Sequence, residues 1–158
     1  MDDRTFRDAM GKFATGVTVI TTALDDGIHG MTANAFMSVS IDPKLISVSV
    51  DEKAHMHEKM KKASRFAVSI LSEDQLETSM HFAKQKEKED IEFEWFNGVP
   101  VIKNALANIV CNVYDAYKVG DHTLYIGEVI DLGMKNANPL VFFEGKYGKE
   151  QLNKSSVL

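Results

Sequence analysis

Cysteine is nearly absent from this sequence, since Cys111 is the only one in 158 residues. A single cysteine excludes an intrachain disulfide and any metal site built from several thiolates. Cys111 alternates with the apolar residues Ile109 and Val113, so we expect a buried and unreactive thiol. His55 and His57 do not supply a metal site either, because residues two apart on a predicted helix point away from each other. We therefore expect no metal.

Positive charge is also scarce. Lys and Arg number 18 against 23 Asp and Glu, which gives a formal net charge of −5. Nucleic-acid-binding proteins usually carry a basic surplus, so we expect no nucleic-acid partner. No segment has the ~18 consecutive apolar residues of a membrane span, and the charged first ten residues lack the apolar stretch of a signal peptide. We expect a cytoplasmic protein with no membrane partner.

The common catalytic motifs are missing too. No GxGxxG or GxSxG pattern occurs, which argues against a Rossmann nucleotide site and a hydrolase nucleophile elbow. Gly11 and Gly16 have the spacing of a P-loop, but Val17 stands where that motif needs a lysine to reach the phosphates. A chemistry carried by a bound cofactor would require none of these motifs.

Apolar residues at helical spacing predict three short helices. The first contains Phe6, Ala9, Met10 and Phe13 in one stripe, begins at an Asp2 or Asp3 N-cap and ends at Thr15-Gly16. The second carries Met56, Met60 and Ala63, and the third covers residues 73–83 with Ser72 as its N-cap and Leu76, Met80 and Ala83 on one face. The charge-dense residues 84–94 are expected to form a loop or a frayed helix.

Alternating and β-branched segments predict six or seven strands. They lie at residues 17–22, from 28 onward, and at 45–50, 66–71, 105–119, 122–134 and 140–143. Turn signals separate them at Asp26-Gly27, Asp42-Pro43 and Gly120-Asp121, the last with the glycine-first pattern of a type II′ hairpin. Short turns favour antiparallel pairing and a closed or nearly closed barrel. We expect one domain over residues 1–150 and a flexible C-terminal tail over residues 151–158.

Three segments have the composition of a binding site. Residues 31–40 are rich in hydroxyl, amide and small side chains, which would let a flat ligand approach the backbone, although a Ser/Thr-rich turn would have the same composition. Residues 53–65 carry five basic side chains against one acidic side chain, and Lys53 stands near a helix start where a phosphate could bind. His122 follows the Gly120-Asp121 turn, where either turn chemistry or function would explain the pattern.

The sequence resembles the flavin reductase family with an FMN-binding split barrel. The resemblance runs from about Phe6 to Tyr147 and is carried by the segments FATGVTVITT from Phe13, GMTANAF from Gly30, and GDHT from Gly120. It is close to the reductase components of two-component phenol and 4-hydroxyphenylacetate hydroxylases. It implies a mainly β, antiparallel split barrel of Greek-key type with a few short flanking helices, in a homodimer.

The resemblance also implies a function and a set of site residues. The function is hydride transfer from NADH to FAD or FMN, with the reduced flavin supplied to a separate oxygenase. The implied flavin site consists of Thr32, Ala33, Asn34, Ser38, Ser40, Ser49, Asp51, Lys53, Phe82, Ala83, Gly120, Asp121, His122 and Tyr147. His122 would contact the nicotinamide as the catalytic residue, by positioning it rather than as an obligatory acid.

Two other functions remain compatible with the same sequence. One is a non-catalytic flavin-binding or electron-carrier module on the same fold, which would bind flavin without turning over NADH. The other is a structural or ligand-binding barrel without flavin. Fold alone does not separate these functions.

Overall fold

The chain folds around a seven-stranded antiparallel sheet. A computed structural model describes residues 1–149. The helices are α1 (Asp3–Met10), α2 (His55–Lys62) and α3 (Leu76–Phe82), with a 3₁₀ turn at Glu73–Gln75. The strands are β1 (Thr15–Gly16), β2 (Thr18–Leu24), β3 (Gly27–Ala33), β4 (Phe36–Ser40), β5 (Leu45–Asp51), β6 (Arg65–Ile70), β7 (Phe93–Phe96), β8 (Val99–Ile102), β9 (Ala107–Val119), β10 (His122–Met134), β11 (Leu140–Phe143) and β12 (Lys146–Lys149).

The order of the strands shows how the barrel closes. The large sheet runs β3-β2-β6-β9-β10-β5-β4, and smaller sheets are formed by β1-β11-β12 and β7-β8. The edge strands β3 and β4 follow each other in sequence and are linked by Asn34 and Ala35 alone. The sheet must therefore curl until its two edges meet at this link. The result is a barrel that is split between the edge strands β3 and β4. We call this split, at Asn34 and Ala35, the seam. The split barrel confirms the expected architecture.

The strand pattern divides the apolar residues between two faces. Ile20, Val48, Val50 and Phe66 are buried inside the barrel, where Met56 and Met60 of α2 join them. A second cluster on the outer face includes Val19 and Leu71, with Phe82 and Tyr147 packed against it. Alternation along each strand therefore leaves the outer face of β3 free to carry polar groups beside α3.

The part of the chain that the structure describes has twelve strands instead of the expected six or seven. The additional strands are β1, β4, β7, β8 and β12. β4 is a short edge strand with Met37 59% exposed, so it lacks the buried alternation by which strands are recognised. The first hairpin turn is Asp25-Asp26 rather than Asp26-Gly27, because Gly27, at φ 120°, already pairs with Leu24. Residues 84–92 lie in no helix or strand, and β7 begins at Phe93.

The helices also depart from expectation in two ways. Asp2 caps α1 by accepting a hydrogen bond from the Thr5 N–H at 2.7 Å, but the helix ends at Met10 with Gly11 as its C-cap instead of continuing to Thr15-Gly16. No residue of α1 is buried, and Phe6 is 54% exposed. No helix in residues 1–149 is long and apolar enough to cross a bilayer.

The buried face of α3 differs from the apolar one that the sequence predicts. Thr78 and Ser79 are buried, whereas Leu76 is 38% exposed. Polar side chains face inward here because Ser79 is hydrogen-bonded to neighbouring elements, as described below. The predicted tail, residues 151–158, lies outside the described part of the chain.

Candidate functional site

Two hydrogen bonds from side-chain hydroxyls hold the outer face of β3 against its neighbours. The Thr32 hydroxyl donates to the Ser79 carbonyl at 2.6 Å, and the Ser79 hydroxyl donates to the Tyr147 hydroxyl oxygen at 2.9 Å. The Tyr147 ring packs edge-on against Phe142, with 5.4 Å between the ring centroids. β3, α3 and β12 are thereby tied together beside the seam. Thr32 and Tyr147, which the family resemblance assigns to the site, are brought together through Ser79.

A glycine allows α3 to lie close against the same strand. A Cβ atom on Gly30 would lie 2.7 Å from Cε1 of Phe82, which is well inside van der Waals contact. Gly30 therefore lets the Phe82 ring rest directly on the backbone of β3. Ala83 follows as the C-cap of α3. Phe82 and Ala83 consequently belong to the same group as Thr32.

A second group forms where β5 ends beside the tip of the β9–β10 hairpin. His122 pairs with Asp51 across these strands, and the Glu52 N–H donates to the Asp121 carbonyl at 3.0 Å. The Asp51 carboxylate accepts from the Lys53 N–H at 2.8 Å. Four of the predicted site residues thus meet at one corner of the barrel, although they come from distant parts of the sequence.

The hairpin tip itself is shaped by Gly120 and Asp121. Gly120 has φ 62°, and the turn connects the paired residues Val119 and His122, as a two-residue hairpin with glycine first requires. Nδ1 of His122 lies 2.7 Å from the Asp121 carboxylate. The hydrogen bond from His122 lowers the pKa of Asp121, and the charges of His122 and Lys53 add to that effect. A carboxylate accepts the Nδ1 proton, which leaves Nε2 of His122 free for a ligand.

The seam lies between these two groups. The Ser49 N–H donates to the Ala35 carbonyl at 3.2 Å, so the link containing Asn34 rests against the middle of β5. Thr32, Ala33 and Asn34 therefore approach the seam from one side, and Ser49 and Asp51 from the other.

Ser38 and Ser40 lie apart from both groups. In the pairing of β4 with β5, Ser38 lies opposite Ile46 and Ser40 opposite Leu45. Leu45 is at the opposite end of β5 from Asp51, a separation of about 20 Å along a strand that rises ~3.3 Å per residue. The structure does not bring these two serines to the hairpin tip or to Phe82, and their role remains a prediction.

A cavity of about 930 Å³ opens beside the group formed by Thr32, Phe82 and Ala83. It lies between β3, the start of α2, the end of α3 and residues 84–87. Thr32, Phe82 and Ala83 line it, together with three histidines that sequence reasoning assigned no role in the site, His29, His55 and His81. Ser79 was missed as well. Only the position of His81 directly before Phe82-Ala83 gave a sequence signal, because the others meet through tertiary contacts.

The site is suited to holding a flat cofactor rather than to covalent catalysis. Its lining beside the seam consists of small side chains, hydroxyls and backbone groups, as a planar heteroaromatic ring requires. The Thr15 hydroxyl, on the strand paired with Phe142, is buried without a hydrogen-bond partner among residues 1–149. Cys111 cannot serve as a nucleophile there, because it is fully buried inside the barrel and burial raises the pKa of its thiol to about 12.

The fold and the site together define a split-barrel protein of the flavin reductase class, and comparison with known proteins agrees. A family model described as the flavin reductase like domain matches residues 10–151, so the chain belongs to this family. An NADH-dependent flavin reductase from a Rhodococcus species is 43% identical over 150 residues, which are 92% of this chain and 85% of the relative.

Two further relatives show the same relationship. The reductase component of 4-hydroxyphenylacetate 3-monooxygenase from Thermus thermophilus is 39% identical over 144 residues, covering 90% of this chain and 93% of that protein. The solved structure of the flavin reductase PheA2 in its native state superposes with a TM-score of 0.93 at 58% identity, over 96% of this chain and 100% of the other. The chain therefore resembles these reductases over nearly its whole length.

Proposed function

We propose that the protein is an NADH:flavin oxidoreductase that supplies reduced flavin to a separate monooxygenase of the phenol 2-hydroxylase type. The observation that carries the proposal is the seam, where the Ser49 N–H donates to the Ala35 carbonyl and the neighbouring Thr32 lines an open cavity. The relatives named above favour a reductase over a flavin carrier without turnover, because they are NADH-dependent flavin reductases and reductase components.

In this proposal the residues of the seam hold the flavin. Backbone and hydroxyl groups of residues 32–34 and Ser49 bond the polar edge of the ring, and Phe82 and Ala83 bound it on the side of α3. Lys53 and the N–H groups near the start of α2 face the phosphate. The bound flavin and nicotinamide would supply the hydride-transfer chemistry, and the protein would contribute by holding the two rings together. Orientation of this kind supplies up to about 7–11 kcal/mol in model reactions.

His122 positions the nicotinamide in this proposal. Its ring is partly exposed at the hairpin tip, and Asp121 holds its orientation through Nδ1. A positioning role predicts that His122→Ala raises the Michaelis constant for NADH or lowers the turnover rate without abolishing flavin binding. An unchanged rate together with an unchanged NADH Michaelis constant would refute this role.

The cofactor and partner assignments rest on similarity. We propose FAD as the preferred flavin and NADH as the donor, in a cytoplasmic enzyme of aromatic catabolism. We further propose a homodimer, which is supported by the exposed apolar side chains Phe6, Met10 and Phe13 on α1 and just after it, and Met37 and Val39 on β4. Light scattering on the purified protein tests the dimer, and a monomeric mass would contradict it.

NADH oxidation followed at 340 nm tests the enzyme. The purified protein is assayed with added FAD, with added FMN and without flavin. Turnover that rises with added flavin establishes the reductase and ranks the two flavins. Flavin binding by fluorescence quenching without any NADH oxidation would refute the reductase and favour a carrier.

A further inference from the structure

Ser79 of α3 contacts three residues of the predicted site, although sequence reasoning gave it no role. Ser79 is fully buried, with 0% exposure. Its carbonyl accepts hydrogen bonds from the Thr32 hydroxyl at 2.6 Å and from the Ala83 N–H at 3.0 Å. Its hydroxyl donates to the Tyr147 hydroxyl oxygen at 2.9 Å. Site residues from β3, the end of α3 and β12 therefore meet at this one serine.

The direction of the hydrogen bond between Ser79 and Tyr147 follows from burial. A buried hydroxyl that fails to donate is destabilising, because no water is available as an alternative acceptor. The acceptor that the structure places beside the Ser79 hydroxyl is the Tyr147 oxygen. Tyr147 itself is only partly buried. Its own hydroxyl hydrogen is therefore able to point away from Ser79 and to be donated to a ligand.

The opposite polarity applies to Thr32. Its hydroxyl hydrogen is used in the bond to the Ser79 carbonyl, so the Thr32 oxygen can only accept further hydrogen bonds. Thr32 lines the cavity, and it is joined to Tyr147 through Ser79. Beside the seam the site therefore presents an acceptor at Thr32 and a donor at Tyr147.

The Tyr147 ring is held by contacts that leave its hydroxyl free to rotate. Tyr147 pairs with Phe142 across β11 and β12, and the two rings pack edge-on at 5.4 Å. Packing of this kind places the ring but does not select the direction of the O–H bond. Among residues 1–149, Ser79 supplies the hydrogen bond to the phenol oxygen, so Ser79 makes that selection.

We infer that Ser79 is a positioning residue, which makes Tyr147 donate its hydroxyl hydrogen to a carbonyl oxygen of a bound ring system. The inference rests on the proposed function, in which flavin and nicotinamide both carry such a carbonyl. Because Ser79 is buried, it acts on the ligand only through Tyr147. Loss of the Ser79 hydroxyl should therefore weaken binding about as much as loss of the Tyr147 hydroxyl, with no further effect when both are lost.

Ser79→Ala, Tyr147→Phe and the double variant form a double-mutant cycle that tests this coupling. Ser79→Ala removes the hydroxyl and keeps the carbonyl to which Thr32 and Ala83 donate. Flavin dissociation constants are measured by fluorescence quenching, and NAD⁺ dissociation constants by isothermal titration calorimetry on the flavin-saturated full-length protein. Each single variant should raise one of these constants about three- to tenfold, and the double variant should raise it no further.

The constant that rises identifies the carbonyl. Weaker flavin binding assigns the carbonyl to the flavin, and weaker NAD⁺ binding assigns it to the nicotinamide. An unchanged pair of constants in Ser79→Ala would overturn the inference. Independent, multiplying effects of the two substitutions would overturn it as well, and so would a rise in both constants, which indicates general loosening of the site.

Two controls separate hydrogen bonding from packing. Ser79→Cys keeps a side chain of similar shape but donates only weakly, so it should bind ligand as poorly as Ser79→Ala. Thr78→Ala removes a neighbouring buried side chain of α3, and it should leave both constants unchanged. Wild-type binding by Ser79→Cys, or an equal loss with Thr78→Ala, would show that packing of α3 is responsible and would overturn the inference.

Steady-state kinetics add a readout that damage to α3 would not imitate. Ser79→Ala should raise the Michaelis constant of the affected ligand while turnover at saturation stays within about twofold of the wild type, because a contact made equally in the ground and transition states affects binding alone. Slower turnover with unchanged Michaelis constants would overturn the inference. Absence of NADH oxidation by the wild type would refute the proposed function, whereas the binding cycle would still decide the role of Ser79.

Discussion

Replacement of Gly30 by alanine tests the close contact between β3 and α3. The new Cβ would lie 2.7 Å from Cε1 and 2.8 Å from Cδ1 of Phe82, whereas carbon atoms in contact are normally ~3.5–4.0 Å apart. The Phe82 ring must therefore retreat by about 1 Å. Overpacking of this kind costs about 1–3 kcal/mol. We expect Gly30→Ala to lower the free energy of unfolding by that amount and to raise the Michaelis constant for flavin.

Urea denaturation in a double-mutant cycle isolates the cause. If the ring is responsible, Gly30→Ala should cost about 1–3 kcal/mol beside Phe82 but less than about 0.5 kcal/mol in a Phe82→Ala background. Gly133→Ala is the control, because a Cβ at Gly133 has no atom within 4 Å. An equal cost of Gly30→Ala in both backgrounds would show that the contact with Phe82 is not what requires glycine.

Three further predictions concern groups outside the flavin site. Hydrogen bonds from Lys59 and His29 lower the pKa of Asp26 in the folded state. They therefore stabilise the protein above pH ~4, and this stabilisation is lost as the pH falls. The Tm of Asp26→Asn should drop less than that of the wild type between pH ~6 and pH ~3. Cys111, with a thiol pKa raised to about 12 by burial, should react with a thiol reagent only after denaturant is added, and labelling of the native protein would contradict this. Tyr125→Phe removes the hydroxyl that lies 3.0 Å from Nδ1 of buried His57, so the free energy of unfolding by urea should fall by about 1–3 kcal/mol while the flavin Michaelis constant stays unchanged.

The sequence predicts those parts of the fold that local pattern determines. Residues 105–119 and 122–134 alternate regularly around a glycine turn, and the strands observed are Ala107–Val119 and His122–Met134. β4 was missed because its position depends on pairing with β5 and on closure of the barrel, and neither leaves a buried alternation in its own residues. Tertiary pairing thus determines the seam, which no local pattern encodes.

The same distinction applies to the site. Thr32 and His122 stand in segments whose composition or resemblance predicts a role. His29 and His55 come from β3 and α2, and only the packing of those elements places their ring centroids 5.9 Å from each other. Ser79 was hidden because helical spacing favoured the apolar side of α3, whereas hydrogen bonds turn its polar side inward.

The order of strands in the large sheet has a consequence for how the protein folds. β2–β3 and β4–β5 are local hairpins. The β2–β3 hairpin is connected to β9 only through β6, and the β4–β5 hairpin joins the rest of the sheet only through the pairing of β5 with β10. The two halves of the barrel therefore cannot unite until the β9–β10 hairpin has formed and docked on both. Because pairings between distant segments form slowly, the pairing of β5 with β10, which joins the two halves, should be completed late. Recovery of flavin binding during refolding should consequently lag behind the appearance of β structure in circular dichroism.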